Sequence, residues 1–523
     1  MKKVWGIFFG LLLSVLGLLL FCNPLLAADD LVLDEIKVLI ETHYVDELDL
    51  DRSNINFVGD LIAELRDPHS QYLSAEEMEE FIASIEGLYA GIGVYINGNL
   101  LTEGVEISGL IPNSPAEQAG IKTGDIIVRV DHKSLEGLDL DAVQQILLGP
   151  AGSKIELEVK RGKEHYKLIL ERQLIQVPQV SCTQLDFNTV YIDIDSFSET
   201  AYQDLLPKID ACRQEGVDKW IIDLRGNPGG YINAALDISG IFVGSEIVTV
   251  LEEREDISKY QAQQLGIQIS DPVIVLIDEN SASASEIMAA ALKDHHQGVL
   301  LGQTTYGKGT AQAIFPLSNG DYLKLTTARF YSPLGFSING TGVEPDLPLQ
   351  SSDMIKAAEL LLSDPPDGGA GSFELLADGH EFVVDLALAR SSNYWGVWGE
   401  INSELELLPA YKAQAEEDYS LLNPQQFKNK ASWYYPQAQD LGRLDNYQNS
   451  RELILYISPA RDLGNQQLEV RHAASGAQLP FRVLQEGNLI RIQPEEEMLP
   501  GEYWLILKGK ERDTYLARIE VQQ

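Results

Sequence analysis

The chain has 523 residues, 45% of them hydrophobic and 23% charged, enough for several domains with sizeable cores. Its formal net charge of −40 argues against nucleic acid or an anionic membrane surface as a partner. Charge says nothing about fold. Three cysteines and scattered histidines form no metal-ligand cluster in the sequence, and no metal or cofactor is expected.

The chain opens with Lys2 and Lys3, an apolar run from Val4 to Phe21, the small residues Ala27 and Ala28, and then Asp29-Asp30. This is the layout of a secretory signal peptide over residues 1–28, and the run is almost long enough to stay as a membrane anchor. Either way the bulk of the chain is expected outside the cytosol, secreted or held at the outer face of the cytoplasmic membrane. Cys22 follows the bulky Phe21 where a lipidation site needs a small residue. Cys182 and Cys212 can be bonded or free in an oxidising compartment.

From Leu31 to Glu86 the apolar spacing is helical, with Leu33, Ile36, Leu39 and Ile40 in one set and Val58, Leu61, Ile62 and Leu65 in another. An N-terminal helical region is therefore placed at 29–86. It contains Arg66-Asp67-Pro68-His69-Ser70-Gln71-Tyr72-Leu73, followed by a capping-box start at Ser74 and Glu77.

Residues 87–175 resemble a PDZ domain. Tyr89-Ala90-Gly91-Ile92-Gly93-Val94 is similar to a carboxylate-binding loop leading into an edge strand. Asn113 to Ile121 reads as a short helix ending in a glycine, Asp139 to Leu148 as a helix, and Lys154 to Lys160 as an alternating strand. Glycines at 91 and 93 let backbone N–H groups converge on a terminal carboxylate, so Gly91, Ile92, Gly93 and Val94 are the candidate substrate-binding residues.

Residues 176–350 alternate strands and helices, an α/β pattern. Asp223-Leu224-Arg225-Gly226-Asn227-Pro228-Gly229-Gly230 ends one strand and precedes a helix. Pro272 to Ile277 is a buried strand, and Ile287 to Lys293 has helical spacing, so Ser281, Ser283 and Ser285 lie at a strand-to-helix turn. A hydroxyl there meets the free N–H groups and positive dipole end of a helix. Ser283 with Glu286 is also an ordinary capping box. Gly302 to Lys308 nearly spells a phosphate loop, but Gly309 stands where a Ser or Thr must bind Mg²⁺, which excludes nucleotide binding.

The serine cluster, Gly307-Lys308-Gly309 and Gln312 together resemble the carboxy-terminal processing proteases. In that family a lysine follows the middle serine by 25 residues, and a glutamine follows the lysine by four. The string Asp67-Pro68-His69-Ser70 matches the same family. The resemblance implies a crotonase-like α/β protease core, Ser283 as nucleophile, Lys308 as base, Gln312 as its orienting partner, and the N–H groups of Gly229 and Ala284 as an oxyanion hole. It implies an exported serine endopeptidase that takes protein substrates by a free apolar C-terminus. Relatives carry an arginine-glycine pair where this chain has Leu148-Gly149, and that arginine transmits PDZ occupancy to the active site. A non-catalytic PDZ adaptor on an inactive protease scaffold is the alternative, and a homodimer stays open.

Beyond Ser351 the resemblance fades. Asp364 to Gly369 has linker composition, and 351–447 is left as a linker and unassigned region. Short alternating runs, such as Tyr503 to Leu507, predict a small β-sandwich over 448–523. The fold class expected is thus α/β multidomain: an N-terminal helical segment, a PDZ β-domain, an α/β protease core and a C-terminal small β-domain.

Overall fold

The computed structural model describes residues 30–48, 57–101, 104–186, 188–263, 266–350 and 353–364, and shorter stretches between 372 and 521. The signal or anchor segment at 1–28, with Cys22, lies outside the described residues. Among the described residues no helix is long and apolar enough to cross a membrane.

Helices α1 (Asp30–His43) and α2 (Val58–Glu64) do not stand apart from the protease. Val32, Ile36, Ile40 and Leu61 pack with Leu317, Leu323 and Leu325 in one core. Strand β1 (Gln71–Leu73) then joins the protease sheet, with Gln71 opposite Lys324 and Tyr72 opposite Leu323. The helical region predicted at 29–86 therefore also contributes a strand. Pairing partners some 250 residues away cannot be read from local periodicity.

Helix α3 (Ala75–Glu86) begins at the Ser74–Glu77 capping box and ends at Gly87, φ +67°. Strand β2 (Leu88–Gly91) leads into a sheet made by β3 (Val94–Leu101), β4 (Gly104–Leu110), β5 (Ile126–Val130), β6 (Lys154–Arg161) and β7 (Glu164–Glu171), in that order. β3 is the edge. α4 (Pro115–Gln118) is capped by Ser114, and α5 (Leu140–Leu147) by Asp139. Strand β8 (Gln173–Gln176) returns antiparallel to β2, so entry and exit of this domain form one two-stranded ribbon.

The protease core is a six-stranded sheet. Its order is β9 (Val180–Gln184), β10 (Thr189–Ile194), β11 (Lys219–Asp223), β14 (Val273–Ile277), β15 (Val299–Gly302) and β18 (Leu347–Pro348); only the β9–β10 pair is antiparallel. Every residue of β14 is buried, as a central parallel strand covered on both faces requires. Helices α6 (Ala201–Gln214), α7 (Ile232–Val243) and α8 (Ala284–Asp294) cover one face. A second sheet contains β12 (Ile247–Glu253), β13 (Ile257–Gln261) and the hairpin β16 (Thr310–Pro316) and β17 (Tyr322–Tyr331), with β1 on the far side of β17. Cys182 and Cys212 are unbonded.

Of the region taken as linker and unassigned, residues 365–371 lie outside the described residues, but much of the described remainder is built into the protease. α9 (Met354–Leu361), β19 (Ser372–Ala377), β20 (His380–Asp385), α10 (Leu386–Ala389) and α11 (Trp395–Leu405) carry Phe373, Trp395 and Trp398 into a core shared with Ile221, Ile274, Leu276 and Leu301 of the central sheet. This segment covers the second face of the protease sheet. Strand β21 (Gln439–Tyr447) starts the C-terminal β-domain before 448, pairing with β26 (Thr514–Val521) in a sheet that continues through β25 (Gly501–Lys508) to β23 (Leu468–His472). A three-stranded sheet of Leu453–Tyr456, Phe481–Glu486 (β24) and Leu489–Pro494 lies against it, with Ile492 in the shared core. The two-layer β arrangement predicted there is present.

Candidate active site

The turn after β14 is built by Asp278, whose Oδ1 accepts the N–H groups of Gly226, Asn280 and Ser281 at 2.9, 3.0 and 3.1 Å. The three serines of the turn then separate by what they bind. The Ser281 hydroxyl donates to the Leu224 carbonyl at 2.8 Å, and the Ser285 hydroxyl to the Asn227 carbonyl at 3.0 Å. Both are fully buried fasteners between neighbouring strand ends. Ser283 is different. Its backbone sits at φ +57°, ψ −114°, a region that side-chain-bearing residues avoid, immediately before α8. A strained strand-to-helix elbow of this kind lifts a serine hydroxyl clear of its own backbone. The Glu286 N–H goes to the Ser283 carbonyl at 2.9 Å, and among the described residues the Ser283 hydroxyl donates to no carbonyl as those of Ser281 and Ser285 do.

Glu286 is fully buried, and its carboxylate is the hub of the site. Oε2 accepts the N–H groups of Ser283 at 2.8 Å and Lys308 at 2.9 Å. Oε1 accepts the Thr305 hydroxyl at 2.6 Å and the Gly307 N–H at 2.7 Å. Burial pushes its carboxyl up, and these four donors oppose that. Thr305 is held in turn by the Val343 N–H at 2.7 Å. Lys308 stands between glycines for steric reasons. A Cβ on Gly309 would lie 2.4 Å from the Asn339 nitrogen, and Gly307 has φ +87° against the backbone of Gly342.

Burial drives the Lys308 amine below its ordinary value, against the pull of Glu286 and Asp67. A depressed lysine is what a general base at neutral pH needs. Its other charged neighbours come from the N-terminal string and from β17. Lys324 is pushed down to about 8 by burial and by the Lys308 charge. Burial and Lys308 likewise lower His69. Burial works to raise the Asp67 carboxyl, but hydrogen bonds from Ser70, Thr326 and the His69 N–H outweigh it and leave it below the usual range.

Gln312 lies on β16, and its Nε2 donates to the hydroxyls of Thr310 at 3.1 Å and Thr326 at 3.2 Å. No side-chain hydrogen bond joins Ser283, Lys308 and Gln312 among the described residues. The two expected oxyanion donors differ in this conformation. Gly229, at φ +108°, does lie against the nucleophile turn, for a Cβ there would be 2.8 Å from Ser283 Cβ and 2.9 Å from the Ala284 nitrogen. Its N–H, however, donates to Asn227 Oδ1 at 2.8 Å. The Ala284 N–H, at the first position of α8, has no partner among the described residues.

The four loop residues of the PDZ domain converge on one groove of about 120 Å³ between β3 and α5, which Leu140, Gln144, Leu147 and Leu148 also line. Ile92 turns its side chain into the core, so it serves the groove through its backbone. The loop is held by Ala116 N–H on the Ile92 carbonyl at 2.9 Å and by the Ser114 hydroxyl on the Gly93 carbonyl at 3.2 Å. Arg161 binds Asp125 and the Gly120 carbonyl. Arg172 grips the carbonyls of Ile146 and Leu147.

Sequence reasoning took Glu286 only as a cap and missed Thr305, Asp67, His69 and Lys324 as neighbours of Lys308. The Asp-Pro-His-Ser string was the available signal for two of them.

The chain is similar to several known proteins. The profile of peptidase family S41 matches residues 188–349, and that of the PDZ domain residues 106–161. The carboxy-terminal processing protease CtpA of Bacillus subtilis (strain 168) is 33% identical over 323 residues, 61% of this chain and 68% of that protein. The carboxy-terminal-processing protease of Bartonella bacilliformis is 33% identical over 318 residues, 59% of this chain and 72% of its own. Among solved structures, the photosystem II D1 C-terminal processing protease is 26% identical with a TM-score of 0.42, covering 64% of this chain and 97% of its own. The chain belongs to the carboxy-terminal processing proteases of peptidase family S41, serine-type peptidases that here carry a PDZ domain.

Proposed function

We propose that Ser283 is the nucleophile and Lys308 the general base of an exported endopeptidase that selects substrates by their C-terminal tails. The observation that carries this is the division of labour among the three serines. Two are bound as fasteners, and the third sits strained at a helix start, joined through Glu286 to a largely buried lysine.

Neutral Lys308 takes the Ser283 proton as the hydroxyl attacks the peptide carbonyl. The tetrahedral oxyanion is stabilised by the Ala284 N–H and by the Gly229 N–H, once the latter leaves Asn227. Each donor is worth about 3–4 kcal/mol in the transition state. Lys308 then protonates the leaving amine, an acyl-enzyme remains on Ser283, and water hydrolyses it. With its amide nitrogen on Thr310 and Thr326, Gln312 offers its oxygen to orient Lys308. The PDZ loop Gly91-Ile92-Gly93-Val94 receives the terminal carboxylate while the tail adds as a strand to β3. The basic, apolar, small-residue order at 1–28 supports export.

The unformed contacts favour one other reading, a PDZ adaptor without turnover. Digestion of an unfolded protein such as reduced casein by the purified chain separates them. Turnover that Ser283→Ala lowers by about 10³-fold or more supports the dyad. No turnover by the unaltered chain, with and without a tail peptide, supports the adaptor.

A further inference from the structure

On the side of the C-terminal third, a cavity of about 390 Å³ opens where the end of α10, strand β23 and the end of β25 meet. Its charged lining is Arg390, Arg471, Lys508 and Glu469. The one carboxylate is already shared. Glu469 Oε2 accepts from Arg471 Nε at 3.1 Å, and Oε1 pairs with Lys508. Arg471 is further satisfied by the carbonyls of Arg390 at 3.3 Å and Gly476 at 3.2 Å.

Arg390 is left short. Its Nε donates to the Tyr434 carbonyl at 2.6 Å, and its guanidinium lies 4.3 Å over the Tyr435 ring, but among the described residues no carboxylate forms an ion pair with it. Burial lowers its guanidinium, and the facing Arg471 works in the same direction, against the pull of Glu469 and Asp385, neither of which pairs with it directly. Beside it the Ser391 hydroxyl oxygen is buried without a partner among the described residues. In a chain of net charge −40, three cations around a single carboxylate reverse the local sign. Buried charge without a counter-charge is costly, and a guanidinium fork fits a planar or tetrahedral oxyanion through paired N–H donors.

We propose that this cavity binds a compact oxyanion, a phosphate or carboxylate group, with Arg390 and Lys508 supplying charge and Ser391 a hydroxyl donor. The proposal is independent of the proteolytic reading, since none of these residues touches the Ser283 site.

The test is calorimetric titration of the full chain with inorganic phosphate and, separately, with succinate, at fixed ionic strength against a chloride control. Saturable binding of one or both anions is expected, and their relative strength identifies phosphate or carboxylate as the group. Arg390→Met and Lys508→Met are each expected to weaken it at least tenfold with casein turnover unchanged. Lys508 is largely exposed, so Lys508→Met keeps the fold and decides the question if Arg390→Met does not fold. Absence of saturable binding for both anions, or undiminished binding in folded Lys508→Met, overturns the proposal.

Discussion

Ser283 and Lys308 hang on a single atom: Glu286 Oε2 accepts the backbone N–H of Ser283 at 2.8 Å and that of Lys308 at 2.9 Å. The stretch of chain between them spans a helix, a strand and a loop, and this buried carboxylate fixes both ends relative to each other. Glu286→Gln puts an amide NH₂ against donors whichever way it is turned. We expect a loss of roughly 2–4 kcal/mol in stability and a fall in kcat larger than any change in KM. Thermal melts and steady-state kinetics on one peptide check this, and unchanged kcat would remove Glu286 from its positioning role.

The charges around Lys308 predict opposite pH effects. Activity rises as Lys308 loses its proton, so the ascending limb of kcat/KM follows its pKa. Lys324→Met removes a repelling cation, Lys308 holds its proton more tightly, and the limb moves to higher pH. Asp67→Asn removes an attracting carboxylate and moves it to lower pH. Each displacement should be about 0.5 to 1 in pH. Glu286 and His69 also face the amine and are left intact in both variants.

Much of this site was legible in the sequence. The strand Val273–Ile277, the small residues after it and the helix beyond are local patterns, whereas the Ser–Lys–Gln spacing was legible through the family resemblance. Glu286 does accept the Ser283 N–H as a capping box would, but its local spacing could not show that the same carboxylate also holds Thr305, Gly307 and Lys308. The Asp67 and Lys324 neighbourhood was invisible, since it depends on β1 pairing with β17 across the chain. Asp364 to Gly369 has linker composition, and beyond it the apolar residues, Trp395 and Trp398 among them, share no single period. Only the second face of the central sheet gives them a partner.

At the PDZ groove, Gly93 has φ +77°, and a Cβ there would lie 2.2 Å from that of Ser114. Gly93→Ala should cost roughly 1–3 kcal/mol of loop strain. It should also weaken binding of a tail peptide at least tenfold. Amidating the terminal carboxylate of the same peptide should weaken it by a factor on the order of ten to a hundred, the worth of a charge-assisted hydrogen bond. Fluorescence titration of acid and amide forms reads both, and equal affinities would mean that this groove does not read the terminus.

Leu148, where the family resemblance leads us to expect arginine, lines the groove, and Arg161 is committed to Asp125. A leucine at that point cannot supply a charge-assisted link to the protease. A saturating, uncleavable tail peptide should stimulate cleavage of a tail-less reporter by less than about fivefold, the lower end of ordinary coupling. Strong stimulation would show that another route, such as the Arg172 grip on Ile146 and Leu147, transmits occupancy.

The dyad itself is tested most directly by Lys308→Arg. Arginine keeps the positive charge and nearly the reach of lysine, but a guanidinium does not give up its proton at usable pH. At matched thermal stability, casein turnover by Lys308→Arg should fall to the level of Ser283→Ala at every pH. Turnover retained in Lys308→Arg while Ser283→Ala is inactive would contradict Lys308 as the base.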